Sequence, residues 1–374
     1  MKETLGILGG GQLGRMLIQS AIDYNMRVHI LDPAKDAPCS ALAHYFQVGD
    51  LTDYDAVYEF GMHCDIITIE IEKVNTDALK KLRNEGKKVY PQPEIIELIQ
   101  DKRLQKQFYL DHNIPTSEFI LVENKTEVLA NADFLPAANK LARDGYDGRG
   151  VQLLRSAADL PKAFDAPGLL EKLVNIQTEI AVIVARSASG EVKTFPAVEM
   201  VFHPEANLVE YQFSPARVDA AILKKADEIA CSLMEKLGMV GLLAVELFVT
   251  PEGEVLVNEV APRPHNSGHQ SIEGNITSQF EQHLRAIFDL PLGDTAIRVP
   301  AAMVNLLGEA GYTGATRYEG LTEVLKMSGV HLHLYGKNTT KPFRKMGHVT
   351  ITDLDAEKLM EKANFVKATL KVMA

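Results

Sequence analysis

Residues 244–269 read AVELFVTPEGEVLVNEVAPRPHNSGH. Two apolar runs, Ala244–Val249 and Val255–Val260, flank Glu252-Gly253, the composition of a β-hairpin. With that dipeptide at the centre of the turn, residue 251 pairs with 254, and Glu246 falls directly opposite Glu259 on one face. An odd loop would break this register. Facing carboxylates beside Val245, Leu247, Val257 and Val260 repel each other unless a cation lies between them. Ligation by oxygen alone favours Mg2+, which commonly bridges carboxylates to substrate phosphates. Two glutamates on a solvated face are the alternative. The loop that follows, Arg263–His269, presents Arg, His and Asn. His265 and His269 have the i,i+4 spacing of a helical zinc pair, but Pro264 and Gly268 argue against a helix. A cradle for an anionic intermediate is the better reading.

Working outward, the first hundred residues alternate strand and helix. Strand patterns at Leu5–Gly9, Arg27–Leu31, Ile66–Ile71 and Lys88–Tyr90 are separated by helical spacing at Gln12–Tyr24 and Asp77–Arg83. This is the signature of a parallel sheet with right-handed crossovers. Pro91 and Pro93 break the rhythm, and Glu94–His112 reads as one long helix. Beyond it the signals are antiparallel. Glu179–Arg186 and Glu191–Met200 are joined by the turn residues 187–190, and helices are predicted at Ala221–Leu237 and Ser278–Leu290. From residue 294 the chain is strand-rich, with a helical tail over Ala356–Val372. The organisation is therefore α/β over 1–99, α+β over 100–293 and a small β-rich domain over 294–374.

Composition sets the broad class. Of 374 residues, 46% are apolar and 24% charged, which suits a folded multi-domain chain. The net charge of −11 lacks the basic face that duplex nucleic acid requires. The three cysteines form no C-x-x-C pair, which disfavours a disulfide framework and a structural zinc site. A targeting segment and an apolar run long enough to span a membrane are both missing, so a cytoplasmic protein is expected.

Three further features suggest anion binding. Gly9–Gly14 fits G-x-G-x-x-G between a strand and a helix, with Asp32 at the end of the second strand. Such a loop captures phosphate on free helix N–H groups and keeps a nicotinamide-dependent oxidoreductase open. Lys140 followed by Gly145-Tyr146-Asp147-Gly148-Arg149-Gly150 is a glycine-rich loop able to fold over a polyphosphate, or an ordinary surface turn. Between Glu323 and Asp353 the acidic residues disappear, while Lys326, Lys337, Lys341, Arg344 and Lys345 remain. That local inversion suggests an anion site, with a solvated basic face as the alternative. A turn between Lys337 and Arg344 would bring both cations to one anion.

Together these residues resemble the ATP-grasp superfamily, and within it the 5-(carboxyamino)imidazole ribonucleotide synthases of purine biosynthesis. The resemblance covers essentially the whole chain. It rests on GGGQLGR (Gly9–Arg15), TIEIE (Thr68–Glu72), GYDGRG (Gly145–Gly150), NEVAPRPHNSGH (Asn258–His269) and YGKNTTKPFRKMGH (Tyr335–His348). It implies an ATP-grasp fold with a Rossmann-like N-terminal domain and a small C-terminal domain. The implied enzyme is a carbon–nitrogen ligase, a homodimer using ATP and Mg2+ to carboxylate aminoimidazole ribonucleotide with bicarbonate through carboxyphosphate. The resemblance assigns ATP contacts to Lys102, Lys140, Gly145, Tyr146, Asp147, Gly148, Arg149, Gly150, Val151, Glu171, Lys172, Leu173, Val174, Glu179, His203, Asn258 and Glu259. Glu246 and Glu259 would hold Mg2+. Ribonucleotide contacts fall on Gln12, Leu13, Glu70, Tyr146, Asp147, Arg149, Asn266, Lys337, Arg344 and Lys345. Arg263 and His265 would face bicarbonate and carboxyphosphate, with Asp147 as a proton acceptor. A sister enzyme, a formate-dependent glycinamide ribonucleotide transformylase, is the nearest rival and would be expected to carry Asp where Asn266 stands.

Overall fold

The computed structural model describes residues 2–143, 145, 150–202 and 209–374. Five parallel strands, β1 (Thr4–Leu8), β2 (Arg27–Asp32), β3 (Tyr45–Val48), β4 (Ile66–Ile69) and β5 (Lys88–Val89), form the first sheet in the order β3-β2-β1-β4-β5. Helices α1 (Gln12–Asp23), α2 (Tyr54–Met62) and α3 (Thr76–Asn84) make the crossovers. β3 and α2 escape the sequence reading. β3 is a half-exposed edge strand, Tyr-Phe-Gln-Val, with no apolar alternation. α2 carries its start signal in Asp53, whose side chain accepts from the Ala56 N–H. β4 stops at Ile69 because Glu70 turns out of the sheet toward the start of α1.

The expected helix Glu94–His112 is two helices, α4 (Pro93–Gln100) and α5 (Lys102–Asp111). Asp101 between them is extended, with φ −119° and ψ 109°, and its carboxylate caps α5 through the Arg103 N–H. Capping decides the break, since an Asp at this position satisfies donors that a continuous helix would not leave free. As a result Lys102 opens a helix instead of lying within one.

A four-stranded antiparallel sheet follows, β6 (Phe119–Val122), β7 (Ala137–Leu141), β8 (Val151–Leu154) and β9 (Gly168–Lys172), in the order β6-β9-β7-β8. Helix α6 (Lys125–Ala130) packs against it. The third sheet holds β10 (Thr178–Arg186), β11 (Val192–Thr194), β12 (Val198–Phe202), β13 (Val209–Ser214), β14 (Gly241–Val249) and β15 (Val255–Ala261). Helix α7 (Ala220–Leu237) buries Ala226, Ala230, Leu233, Met234 and Leu237 against Val182, Val184, Leu243 and Val245. Burying a Leu, Met or Val side chain contributes about 1.5–3 kcal/mol.

After α8 (Ser271–Gly274) and α9 (Gln279–Ile287), strand β16 (Ala301–Leu307) pairs with β13. Lys345–Thr352 and Val330–Leu334 then add beyond it. The C-terminal strands therefore extend the central sheet across residue 294. The tail is helical over Ala356–Thr369, but Lys371–Met373 leaves the helix to pair with Arg317–Glu319. Among the described residues no helix is long and apolar enough to cross a membrane.

Candidate active site

β14 and β15 place Glu246 directly opposite Glu259, though by a different route from the expected turn. Val249 pairs with Val255, and the Gly253 N–H closes on the Thr250 carbonyl at 2.9 Å. The loop is therefore odd, Pro251-Glu252-Gly253, with Gly253 at φ 78°. Alone it would put Glu246 opposite Asn258. A β-bulge in β15, where Val257–Glu259 face the consecutive Leu247 and Glu246 of β14, restores the register and turns out Asn258 as the extra residue.

Lys102 Nζ meets Glu259 Oε2 at 2.6 Å. That ammonium, ahead of the burial that opposes it, holds the Glu259 carboxyl well below the usual carboxylate range. Burial, then the charges of Glu259 and Glu179, push Glu246 the other way. One member of the pair is therefore a cation-held carboxylate, and the other tends to keep its proton. Glu179 on β10 is raised to about 7, by burial first, against Lys140, with Glu259 adding to the rise.

The four-stranded sheet supplies the neighbouring cations. Glu171 on β9 is 3% exposed and bridges two lysines at 2.7 Å each, Lys106 of α5 through Oε1 and Lys140 of β7 through Oε2. Ser117 Oγ also donates to Oε1. Burial alone would raise the Glu171 carboxyl, but Lys140 and Lys106 outweigh it and hold it at about 2. Lys106 shows the opposite side of the balance. Desolvation, with Lys140 competing for the same carboxylate, lowers it to about 8 despite the ion pair. Lys140 Nζ reaches Asn258 Oδ1 at 3.2 Å, tying this sheet to the carboxylate pair. Val151 pairs with Lys140, and the Leu141 N–H donates to the Gly150 carbonyl at 2.9 Å, closing the stem of the glycine loop. A β-carbon on Gly150 would lie 3.0 Å from the Gly145 Cα. Tyr146, Asp147, Gly148, Arg149 and His203 lie outside the described residues. Leu173 and Val174 sit in the link between the two sheets, and the Leu173 N–H donates to the Pro136 carbonyl. Lys172 faces away from Glu171. Its Nζ donates to the Phe134 carbonyl and covers the Phe134 ring at 5.1 Å.

The N-terminal sheet closes the other side. Arg263 Nε pairs with Glu72 Oε1 at 2.8 Å. The glycine loop is not open to an external phosphate. Gly11 and Gly14 donate to the two oxygens of Glu70 at 2.8 and 2.9 Å, and Gly10 donates to Asp32 Oδ2 at 2.7 Å. A β-carbon on Gly11 would lie 2.5 Å from Glu70, so glycine is required there to admit that carboxylate. The protein's own acids occupy the positive end of α1, and the nicotinamide reading fails at this point. Burial raises the Glu70 carboxyl even so, against the pull of the two N–H donors.

His265 is extended, and its ring caps the following turn. Nδ1 lies 3.0 Å from Ser267 Oγ and 3.3 Å from the Ser267 backbone nitrogen, and Nε2 lies 3.4 Å from Glu246 Oε1. His269 turns elsewhere and packs against the ring of His348. Asn266 Nδ2 is a buried donor without a hydrogen-bond partner among the described residues.

The basic segment splits. Lys337 Nζ donates inward to Gln12 Oε1 at 3.0 Å and to the Lys345 carbonyl at 2.7 Å. Arg344 donates to Thr339 at the exposed rim. The turn thus delivers the two cations to different partners. Leu13 is a core residue of α1. Lys345 opens the strand that pairs with β16, opposite Leu307.

Sequence reading missed two contributors. Lys106 lies one helical turn after Lys102, a spacing that was legible. Glu72 lay within TIEIE without a role of its own.

Three family models match the chain: a ribonucleotide synthetase preATP-grasp domain over residues 1–100, an ATP-grasp domain over 107–280 and a phosphoribosylaminoimidazole carboxylase C-terminal domain over 301–362. The chain is 39% identical to the N5-carboxyaminoimidazole ribonucleotide synthase of Bacillus subtilis, over 93% of this chain and 90% of that one. It is 40% identical to a chloroplastic phosphoribosylaminoimidazole carboxylase of Vigna aconitifolia, but spans only 64% of that longer protein. The crystal structure of the N5-carboxyaminoimidazole ribonucleotide synthetase of Thermotoga maritima superimposes with a TM-score of 0.92 at 42% identity, covering 100% of this chain and 99% of that one. The Aspergillus clavatus synthase, solved with ADP and 5-aminoimidazole ribonucleotide, gives 0.87 at 32% identity, covering 97% and 99%.

Proposed function

The chain belongs to the N5-carboxyaminoimidazole ribonucleotide synthase family of ATP-grasp ligases, and from that premise we propose how its own residues carboxylate 5-aminoimidazole ribonucleotide with bicarbonate at the expense of ATP. The observation that carries this reading is the Lys140–Asn258 contact at 3.2 Å, which joins a phosphate-binding lysine on one sheet to a carboxylate pair on the other. A triphosphate clamped between two sheets needs that juxtaposition.

ATP takes the cleft between the sheets. Lys140, held by Glu171, neutralises charge on the terminal phosphate. The glycine-rich sequence Gly145–Gly150 is assigned to the phosphates by resemblance alone, and the link Leu173–Val174 with its neighbours offers main-chain groups to the base. Glu246 and Glu259, with Asn258 beside them, suit Mg2+. Among the described residues no three acidic, His or Cys side chains form a closed metal cage. Two carboxylates are a set that phosphate oxygens and water complete. Bound there, Mg2+ would withdraw electron density from the phosphate oxygens.

Arg263, oriented by Glu72, and His265, directed at Glu246, line the far end. They are suited to hold bicarbonate and to shelter the mixed anhydride with phosphate from water. The ribonucleotide enters from the N-terminal sheet. Glu70, Gln12, Lys337 and Lys345 surround its place, and the unpaired amide of Asn266 supplies a donor. Its exocyclic amine forms the new carbon–nitrogen bond to the anhydride carbon, whose C–O bond to phosphate breaks as the amine attacks or on prior release of CO2. Phosphate leaves, and the amine proton passes to Asp147 or a neighbouring carboxylate. The same reading takes the enzyme as a cytoplasmic homodimer with domains over 1–99, 100–293 and 294–374.

The test is phosphate release from ATP and Mg2+, with each acceptor offered in turn. Release is expected only with bicarbonate and aminoimidazole ribonucleotide together. Release with formate and glycinamide ribonucleotide, or NADH consumption, would replace the reading. A second expectation concerns Lys337→Met, which keeps the stem over Tyr335 and removes the ammonium. It should raise the KM for the ribonucleotide by about ten- to a hundredfold, the scale of one charge-assisted contact. The KM for ATP should not move, and a defect confined to ATP would assign the triphosphate to this patch.

A further inference from the structure

Gln279, the first residue of α9, has no exposed surface. Its amide is engaged entirely by the loop that carries His265. Oε1 accepts the His265 N–H at 2.8 Å, and Nε2 donates to the His265 carbonyl at 2.7 Å and faces His269 Nδ1 at 3.1 Å. One side chain thus grips both main-chain groups of the same residue, as a neighbouring strand would. A β-carbon on Gly268 would lie 2.6 Å from this amide and 2.3 Å from Ile183, so glycine there makes room for the grip.

The anchor itself is rigid. Phe280, Leu284 and Ile287 of α9 are buried in the core of the N-terminal sheet with Leu5, Ile7 and Ile66. One turn beyond Gln279, His283 Nε2 lies 2.9 Å from Thr68 Oγ1, both fully buried. Thr68 is on β4, two residues before Glu70. α9 therefore spans the strand that leads into Glu70 and the loop that bears Arg263 and His265. With its peptide gripped on both sides and its ring capping Ser267, His265 keeps its Nε2 on Glu246.

We propose that Gln279 is a positioning residue for the carboxylation: through the main chain of His265 it sets the imidazole against Glu246 and in register with the Glu70–Glu72 end of the cleft. It governs turnover and leaves nucleotide binding untouched. This rests on the proposed function for its activity arm only.

Gln279→Met keeps the length and deletes the amide. Its kcat should fall on the order of 10²-fold, the cost of misplacing a reacting group by about 1 Å, while the KM for ATP stays at the parental value. Gln279→Glu retains the acceptor for the His265 N–H but replaces the Nε2 that meets the His265 carbonyl and His269 Nδ1 by an oxygen, and its kcat should also fall, by about tenfold or more. The 15N imidazole spectrum is a second readout. The His265 signal, identified by its loss in His265→Asn, should move in Gln279→Met as the ring changes its contacts with Ser267 and Glu246. A parental kcat, a rise in the KM for ATP with kcat preserved, or a parental His265 signal in the Met variant would overturn the proposal. If the Met variant does not fold, an undiminished kcat in Gln279→Glu overturns it alone. A parent that fails to turn over bicarbonate and the ribonucleotide would sink the proposed function, and the imidazole spectrum would still decide the role of Gln279.

Discussion

Glu171→Gln is expected to destabilise the central sheets by about 3–5 kcal/mol, the cost of removing one partner from a buried ion pair. Two ammonium groups, Lys106 and Lys140, would then share a neutral amide in a site where Lys106 and Glu171 are each 3% exposed. The parent's dependence on pH follows from the same geometry. The Glu171 carboxyl is held at about 2 from an ordinary 4.5. Its contribution is fully present above the ordinary value and is lost as pH falls toward 2. Lys106, lowered to about 8, works in the other direction. The unfolded chain binds more protons than the folded one between 8 and the ordinary lysine value, so stability rises with pH over that window. In Glu171→Gln the Lys106 pKa drops further, and the rise begins at a lower pH. The deficit of the variant should therefore shrink as pH approaches 8 and stay constant above it. Urea midpoints of both proteins at several pH values measure this. Equal midpoints at neutral pH would show that Glu171 is not needed to hold the two lysines. ATP affinity should fall with stability, because Lys140 loses the partner that aims it.

What the sequence revealed and what it concealed divide along a physical line. Local patterns were legible: the apolar strands of the first sheet, the two arms of the glutamate hairpin, and α7 with its stop at Gly238. The facing of Glu246 and Glu259 was legible too, but from a premise that the structure replaces. The loop is odd, and the bulge that turns out Asn258 restores the register. A bulge leaves no local signature in sequence, since it is imposed by the neighbouring strand. The break at Asp101 was readable as a cap, yet the continuous apolar spacing across it concealed it. The glycine loop misled for a related reason. Its composition is that of an anion site, and the anion turned out to be Glu70, 59 residues away from Gly11. Gln279 could not be found from sequence, because its function lies in where the chain brings it. Lys337 and Arg344 were adjacent by spacing, but the fold sends one inward and leaves the other at the rim.

The second large effect concerns the carboxylate pair, whose members are not equivalent. Removing either should cost turnover on the order of 10²-fold or more, the scale of deleting one electrostatic stabiliser of a reacting phosphate. Their metal-free stabilities should differ in sign. Facing carboxylates alone suggest that neutralising Glu259 relieves repulsion and leaves the protein at least as stable. The geometry argues otherwise. Lys102 Nζ at 2.6 Å keeps Glu259 ionised, so Glu259→Gln strands a lysine that is 17% exposed and should lower the melting temperature. Glu246 has the raised carboxyl, set by burial and by the charges of Glu259 and Glu179. Folded protein binds more protons at that group than unfolded protein does once pH passes the ordinary carboxylate value. Stability therefore declines with rising pH until the folded group itself ionises. Glu246→Gln removes this decline, because an amide has no proton to lose. In the absence of Mg2+ and nucleotide, the variant should match the parent at about pH 4.5, the ordinary carboxylate value, and exceed it increasingly toward neutrality. Glu259→Gln should fall below the parent over the same range. Thermal melts of the three proteins across that range, in chelator, make the comparison. If Glu246→Gln proved the less stable of the two variants at neutral pH, the assignment of the proton to Glu246 and of the ion pair to Glu259 would be reversed. The same result would detach Lys102 from the metal-binding carboxylate.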